Sequence, residues 1–204
     1  MRWHPDQLPA AVVLAVSFTG GSVPVSNIAS LRLTGTDLRR TGTGTVSGSA
    51  LYRVAGFRAL AGAGLLDVAK GALGPLLAGR GRPALAAAAG AGAITGHNFS
   101  PFLRGAGGRG LAPALGVLLV TAPEGCGVLL AGLGVGRCFR SSGLGCLLSY
   151  LALGPVLSIT RGRAGRALAA VTVGPLLIKR VAGNQPPARQ RPGVYLRRLV
   201  FDHD

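Results

Sequence analysis

Residues 7–31 pass through 25 positions without a charged side chain. A helix rises 1.5 Å per residue, so this run is long enough to cross the ~30 Å hydrocarbon core of a bilayer. Further apolar stretches follow at 54–79, 83–103, 141–160 and 165–182. Residues 110–139 are apolar too, and read either as one long helix or as two short ones broken at Pro123, Glu124 and Gly125. Each half would hold about 15 residues, near or below the ~17-residue lower limit for spanning. A cleaved leader has an apolar core of about 7–15 residues. The first run is longer than that and others follow, so it reads as a retained span. Pro24 and the Gly20-Gly21 pair are placed to kink or break its second half.

Composition narrows the class. Charged residues make up 14% of the chain and the mean hydropathy is +0.45, whereas a soluble domain carries about 25% charge. The 34 glycines fit close helix packing in a membrane, and the apolar runs are too long for a glycine-rich disordered polymer. The expected fold class is all-α, a polytopic membrane protein of about seven transmembrane helices. Cys126, Cys138 and Cys146 lie in apolar surroundings at a spacing that fits no zinc pattern, and read as buried free thiols.

The net charge of +16 first suggests nucleic acid. The cations punctuate apolar segments, however, and form no compact basic domain, so they read as anchors beside anionic headgroups. With seven spans and an outside N-terminus, fifteen of the 22 Lys and Arg fall on the cytoplasmic side and six outside, with Lys70 in the membrane. That distribution obeys the positive-inside rule; with six spans it weakens. Residues 1–182 then form the transmembrane unit and 183–204 a basic cytoplasmic tail. The tail ends in VYLRRLVF, an alternation suited to the membrane surface. The loops at 32–53, 104–109 and 137–142 and the tail share the cytoplasmic face, and three of these segments carry glycines, hydroxyls and arginines that could converge on one polar ligand.

The segment from Gly96 to Gly110, GHNFSPFLRGAGGRG, is the densest of these. Gly107, Gly108, Arg109 and Gly110, with Arg104 nearby, can offer backbone N–H groups and guanidinium charge to a phosphate. Alone, the segment reads equally as a flexible inner loop with topogenic arginines. Arg53 reads as a clamp on a second phosphate or as a headgroup anchor. Thr43, Thr45, Ser47 and Ser49 read as hydroxyl donors or as an ordinary turn-rich linker. His97 suits a general base or a loop-fixing hydrogen bond. Asp67 and Lys70 share one helical face and read as a mutually satisfied pair supporting the site. Neither a Ser–His–Asp triad nor a metal cluster is apparent, and no cofactor is expected.

Four motifs in order give these residues a context. Gly21-Ser22-Val23-Pro24 is similar to GSIP, and GTGTVSGSALYRV at residues 42–54 is similar to GSGNxGATNxxRV. LDVAKG at residues 66–71 is similar to LDxxKG, and GHNFSPFLRGAGGRG is similar to GHxFPxFLxFKGGKG. Together they resemble the bacterial acyl-phosphate:glycerol-3-phosphate acyltransferases, small seven-span membrane enzymes of phospholipid synthesis. Arg53 matches the pattern, and Thr43 keeps a hydroxyl. Thr45 and Ala50 stand where the family has asparagines, Ser47 replaces a glycine, and Ala106 and Arg109 replace two lysines. Lys179, Arg180 and Asn184 lie where a late histidine–asparagine pair is expected, without the histidine. Ser141 and Ser142 resemble the family's serine-bearing loop.

The resemblance implies transfer of a fatty acyl group from acyl phosphate to glycerol 3-phosphate, giving lysophosphatidate and phosphate. Acyl phosphate, glycerol 3-phosphate and membrane lipids are the implied partners, with no nucleic acid. The donor is an activated mixed anhydride, so a covalent nucleophile is unnecessary and the task is to position two phosphates and stabilise the departing one. The catalytic candidates are His97 and Arg109. The phosphate-binding candidates are Thr43, Thr45, Ser49, Arg53, Arg104, Gly107, Gly108, Arg109, Gly110 and Ser142, with Asp67 and Lys70 in support. The altered motif positions leave a rival expectation, a catalytically inactive relative that binds phospholipid or a membrane partner. A transporter would need repeated halves, and none is seen. The sequence specifies neither acyl chain length nor oligomeric state.

Overall fold

The computed structural model describes residues 8–185 and 192–201, and among these the regular structure is entirely helical. The helices are α1 (Ala10–Ser22), α2 (Val25–Thr34), α3 (Gly48–Ala78), α4 (Pro83–Asn98), α5 (Leu111–Thr121), α6 (Pro123–Cys138), α7 (Ser142–Ala182) and α8 (Pro192–Phe201). Three stretches are long and apolar enough to cross a membrane: Ala10–Thr34, Gly48–Ala78 and Ser142–Ala182. Large apolar side chains also line the outside, with Leu65 71%, Phe139 79% and Ile159 85% exposed. Long apolar helices with such exposure describe a multi-pass membrane protein facing lipid.

The first apolar run breaks at Val23 and Pro24, as its composition led us to expect. The break frees the Val23 carbonyl, which accepts from Lys70 Nζ at 2.8 Å. The ambiguous stretch 110–139 forms two helices, α5 and α6, which meet at Ala122 before Pro123.

Two glycines bend the long helices. Gly56 in α3 has φ 77° and ψ −174°, and Gly162 in α7 has φ 59° and ψ −137°, a region nearly closed to residues with a Cβ. In a straight helix Gly143 and Arg180 would lie about 55 Å apart, yet Arg180 Nη2 donates to the Gly143 carbonyl at 2.7 Å. The arms of α7 therefore fold into an antiparallel hairpin about Gly162. The first turns of α3 fold back likewise, and a Cβ on Gly48 would meet Leu60 Cδ1 at 2.7 Å.

Three expectations need correction. Residues 32–53 are not one loop: α2 continues to Thr34, a 3₁₀ turn covers Leu38–Arg40, and α3 begins at Gly48. Ser47 supplies that start by accepting from the Ala50 N–H at 3.2 Å. The run 83–103 is helical only to Asn98, because Pro101 opens a separate 3₁₀ turn, Pro101–Leu103. Cys126, Cys138 and Cys146 are free thiols, but none is buried: Cys126 and Cys146 are half-buried, and Cys138 is exposed at the end of α6.

Small residues set the packing. Gly21 and Gly96 let α1 and α4 touch backbone to backbone, Gly71 and Gly116 do so for α3 and α5, and Gly132, Gly136 and Gly145 for α6 and α7. Between these seams Ile94, Val117, Leu118, Leu129, Leu153, Leu157 and Leu176 form the main apolar cluster. In the tail, α8 docks on the end of α7, where Arg198 donates to the carbonyls of Ala182 at 3.1 Å and Gln185 at 2.9 Å.

Candidate functional site

The polar segments meet at one place. The Val46 N–H donates to the Gly107 carbonyl at 3.1 Å, stitching the glycine-rich segment before α3 to the one before α5. Asn184 completes the seam. Its Nδ2 donates to the carbonyls of Gly44 at 2.9 Å and Gly107 at 2.8 Å, and its Oδ1 accepts from the Gly107 N–H at 3.1 Å. The amide orientation is fixed by these partners: a flip would set NH₂ against N–H and oxygen against two carbonyls.

Each segment is anchored to the bundle. Ser100 Oγ donates to the Ser22 carbonyl at 2.6 Å, tying the loop after α4 to the end of α1. Asn98, fully buried, donates to the Pro175 carbonyl at 2.8 Å, tying α4 to the second arm of α7. Leu103 enters an apolar cluster with Leu38, Val46 and Leu51. The loop then reverses through Arg104, a non-glycine residue in the left-handed region at φ 57°, and Gly105 at φ 85°.

At this seam Arg109 Nη2 lies 3.5 Å from Thr45 Oγ1, and Thr45 is 3.0 Å from Thr43 Oγ1. Arg109 is also within electrostatic range of Lys179, Cys146 and Tyr150. Lys179 Nζ sits 3.4 Å from the Gly105 carbonyl and 4.4 Å from the centre of the Phe99 ring. Ser142 opens α7 one residue before Gly143, whose carbonyl takes Arg180, and one turn before Cys146. Thus Thr43, Thr45 and Arg109 belong to one neighbourhood.

Behind the seam lie the buried charges. Lys70 Nζ is 2.9 Å from Asp67 Oδ1, an i,i+3 pair on α3. His97 Nδ1 is 3.7 Å from the same oxygen, beyond hydrogen-bond reach but close in Coulomb terms. The other edge of His97 lies against Gly108, where an added Cβ would strike Nε2.

The roles expected of the glycines change. The N–H groups of Gly107 and Gly108 are already used, on Asn184 Oδ1 and the His97 carbonyl. They are not donors to a phosphate in this arrangement. They are required for close approach, since a Cβ on Gly107 would meet the carbonyls of His97 and Asn98. Gly110, at φ 76°, caps α5. Its neighbour Arg109 therefore stands at a helix N-terminus, whose first-turn N–H groups lack intrahelical acceptors.

Arg104 does not join Arg109. It lines an open cavity of about 590 Å³ with Asp37, Arg39, Arg40 and Phe102. Asp37 there is bound by Arg39 through both carboxylate oxygens, with Nη2 at 2.6 Å. The Arg39 guanidinium holds the Asp37 carboxyl below its ordinary range. Arg53 and Ser49 are exposed on the first turns of α3, with the Arg53 guanidinium turned toward Gly42. Lys179 and Asn184 were legible only as polar residues near a missing motif; neither sits in a pattern that announces what it touches.

Long apolar helices with cationic, glycine-rich segments pinned together between them define a multi-pass membrane protein with one composite polar site. Residues 11–185 match the family model described as glycerol-3-phosphate acyltransferase, and the chain belongs to that family. A glycerol-3-phosphate acyltransferase of Myxococcus xanthus is 38% identical over 120 residues, 57% of this chain and 62% of the relative. One from Leptospira borgpetersenii is 33% identical over 148 residues, 70% of this chain and 68% of the relative. In three of the curated relatives it matches, the aligned stretch spans from about half to just over six-tenths of their length. The fold is similar to crystal structures of PlsY (YgiH), an integral membrane glycerol 3-phosphate acyltransferase. Its glycerol 3-phosphate form gives a TM-score of 0.75 at 23% identity, covering 83% of this chain and 87% of that one. Its lysophosphatidic acid form gives 0.71 at 20% identity.

Proposed function

We propose that the protein transfers a fatty acyl group from acyl phosphate to glycerol 3-phosphate, releasing lysophosphatidate and inorganic phosphate. The observation that carries this reading is the seam in which Asn184 joins Gly44 to Gly107, because it sets Thr45 and Arg109 beside each other on two glycine-rich segments. The relatives' names supply the reaction class. In the reaction the glycerol 3-phosphate hydroxyl oxygen bonds to the acyl carbonyl carbon, and the bond from that carbon to the phosphate oxygen breaks. The phosphate leaves with the electron pair. The protein's task is to hold two anions at contact distance and to neutralise the charge that builds on the leaving phosphate.

In this reading Arg109 and Thr45 meet the departing phosphate. Thr43, Ser49, Arg53 and Ser142 line the approach of the other phosphate, and Arg104 serves the neighbouring cavity. Gly107, Gly108 and Gly110 leave room for the backbone to close. His97, oriented between Asp67 and Gly108, accepts the hydroxyl proton. Asp67 and Lys70 hold its helix face and the α1–α2 break in register.

The crossings of this reading are the α1–α2 segment, the long arm of α3, α4, α5, α6 and the two arms of α7, seven in all, with the N-terminus outside. The site loops and the tail 183–204 are then cytoplasmic, in agreement with the distribution of arginines. The test is to give the purified protein palmitoyl phosphate or a palmitoyl thioester with glycerol 3-phosphate and to measure lysophosphatidate by mass spectrometry. Product from the acyl phosphate is expected. A folded protein that makes none from either donor would instead fit a non-catalytic lipid-binding relative.

A further inference from the structure

Two 3₁₀ turns frame the open cavity, Leu38–Arg40 after α2 and Pro101–Leu103 after α4. Each turn buries its leucine in the same apolar cluster, with Leu38 0% and Leu103 7% exposed. The Leu38 N–H donates to Oδ1 of the buried Asn27 at 2.8 Å. The Leu103 N–H donates at 3.1 Å to the carbonyl of Ser100, whose side chain is tied to Ser22. With the leucines turned inward, their neighbours line the cavity: Asp37, Arg39 and Arg40 from one turn, Phe102 and Arg104 from the other. Three guanidiniums and one carboxylate give this lining a net charge of +2. Arg39 occupies both oxygens of Asp37, with Nε at 3.1 and 3.0 Å and Nη2 at 2.6 Å. The charges of Arg40 and Arg104, both exposed, are left without an acidic counterpart in the cavity.

We infer that this cavity is a second phosphate-monoester site, apart from the Arg109 seam, and that the phosphate it takes is the headgroup of a membrane lipid. A phosphate monoester carries about −1.5 to −2 at neutral pH, which matches a lining of +2. Guanidiniums recognise such a group through two parallel N–H donors each. Depth and apolar surface point to a lipid. Both turns follow the last residues of apolar helices, Thr34 of α2 and Asn98 of α4, the level at which arginines and aromatic rings meet headgroups. Phe102, in the lining itself, is 60% exposed, and Leu33 near the end of α2 is 64% exposed. A soluble phosphate ester leaves these surfaces in water; a lipid covers them with its glycerol and upper acyl chain. Arg109 is not among the lining residues, yet the cavity adjoins the seam, since a Cβ on Gly44 would meet the Arg39 carbonyl at 3.1 Å. The site does not require the acyltransferase reading.

The test titrates the full chain in dodecyl maltoside with dioctanoyl phosphatidate, dioctanoyl phosphatidylcholine and glycerol 3-phosphate. Wild type should bind the phosphatidate at least about tenfold more tightly than the zwitterionic lipid. Arg40→Gln with Arg104→Gln should weaken phosphatidate about 10- to 30-fold, less than buried charge-assisted contacts would lose, because water screens exposed cations. Phosphatidylcholine should change by less than about twofold. Phe102→Ser separates the two sources of phosphate: it should weaken phosphatidate and leave glycerol 3-phosphate unaltered. Glycerol 3-phosphate bound as tightly as phosphatidate, and lost equally in the double variant, would replace the lipid by a soluble ester and overturn the lipid assignment. Arg109→Ala should leave phosphatidate binding intact; loss of binding there would put the lipid in the seam and overturn the second site.

Should the variants not fold, the wild type still decides. Phenylglyoxal modifies arginine side chains, and peptide mapping reads each position. Phosphatidate should slow modification of Arg40 and Arg104 at least about threefold and leave Arg58, exposed on α3, unchanged. Equal rates with and without phosphatidate overturn the site. A wild type that makes no lysophosphatidate but shows this protection defeats the acyltransferase reading and leaves the lipid site standing. An active wild type whose double variant binds phosphatidate undiminished does the opposite.

Discussion

Asn184→Ala is the perturbation whose consequence can be worked most fully. The side chain makes three hydrogen bonds between segments far apart in sequence, to Gly44 and twice to Gly107. Each contributes about 0.5–1.5 kcal/mol net, and the buried Gly107 N–H left without its acceptor adds about 1–3 kcal/mol. Allowing for partial repair by water, the seam loses about 2–4 kcal/mol. Opening of the two glycine segments should then increase about 30- to 1,000-fold. Hydrogen–deuterium exchange of peptides covering 42–47 and 104–110 reads that number directly, with peptides from α6 as an unaffected reference. Because Thr45 and Arg109 meet only across the closed seam, kcat/KM for lysophosphatidate formation should fall at least about tenfold. Asn184→Asp should be worse than Asn184→Ala, since a carboxylate cannot donate to the two carbonyls and sets a negative charge beside the anion site. Wild-type exchange at both segments in Asn184→Asp would refute this reasoning.

Other outcomes follow from the same contacts. Asp67→Asn strands Lys70 inside the bundle and should cost about 3–5 kcal/mol, while Asp67→Met with Lys70→Met should cost less; unfolding temperatures in detergent compare them. Gly116→Val drives a side chain into the Val68 carbonyl and should destabilise the α3–α5 contact by about 1–3 kcal/mol or more, visible as loss of monodisperse protein on size exclusion. His97→Ala should lower kcat about 10²-fold or more if the imidazole takes the hydroxyl proton; retention of kcat within about threefold assigns that proton to the departing phosphate. Asp37 has its carboxyl held low by Arg39, so its contribution is complete above the unfolded value of about 3.9 and is lost as pH falls through the lower folded value. Protease protection of residues 35–47 between pH 5 and 2 should show this loss in wild type and a flattened profile in Arg39→Gln.

How far the sequence disclosed these features depended on the kind of signal. Apolar length announced the membrane class because lipid leaves helices little alternative, and Pro24 and Pro123 marked their breaks by removing a backbone donor. The hairpin at Gly162 was read as two spans, since four residues with two arginines, 161–164, separate the apolar runs 141–160 and 165–182. The fold-back at Gly56 was missed. One glycine among many carries no local mark, and the fold-back about it brings Gly48 against Leu60, a contact between residues that no local pattern pairs. In the site, the motif order located the glycine segments and Arg109. It could not show that the amides of Gly107 and Gly108 are turned inward, nor separate Arg104 from Arg109, because side-chain direction in a loop is set by tertiary anchors such as Ser22 and Asn184. Lys179 was visible only as part of a basic helix end, where a topogenic anchor is the ordinary meaning.

The most direct measurement is the ratio of inorganic phosphate to lysophosphatidate formed from palmitoyl phosphate and glycerol 3-phosphate, in wild type and in Arg109→Ala. A one-to-one ratio is expected in wild type, with loss of both products in the variant. Phosphate release without lysophosphatidate, or equal transfer by folded Arg109→Ala, would contradict it.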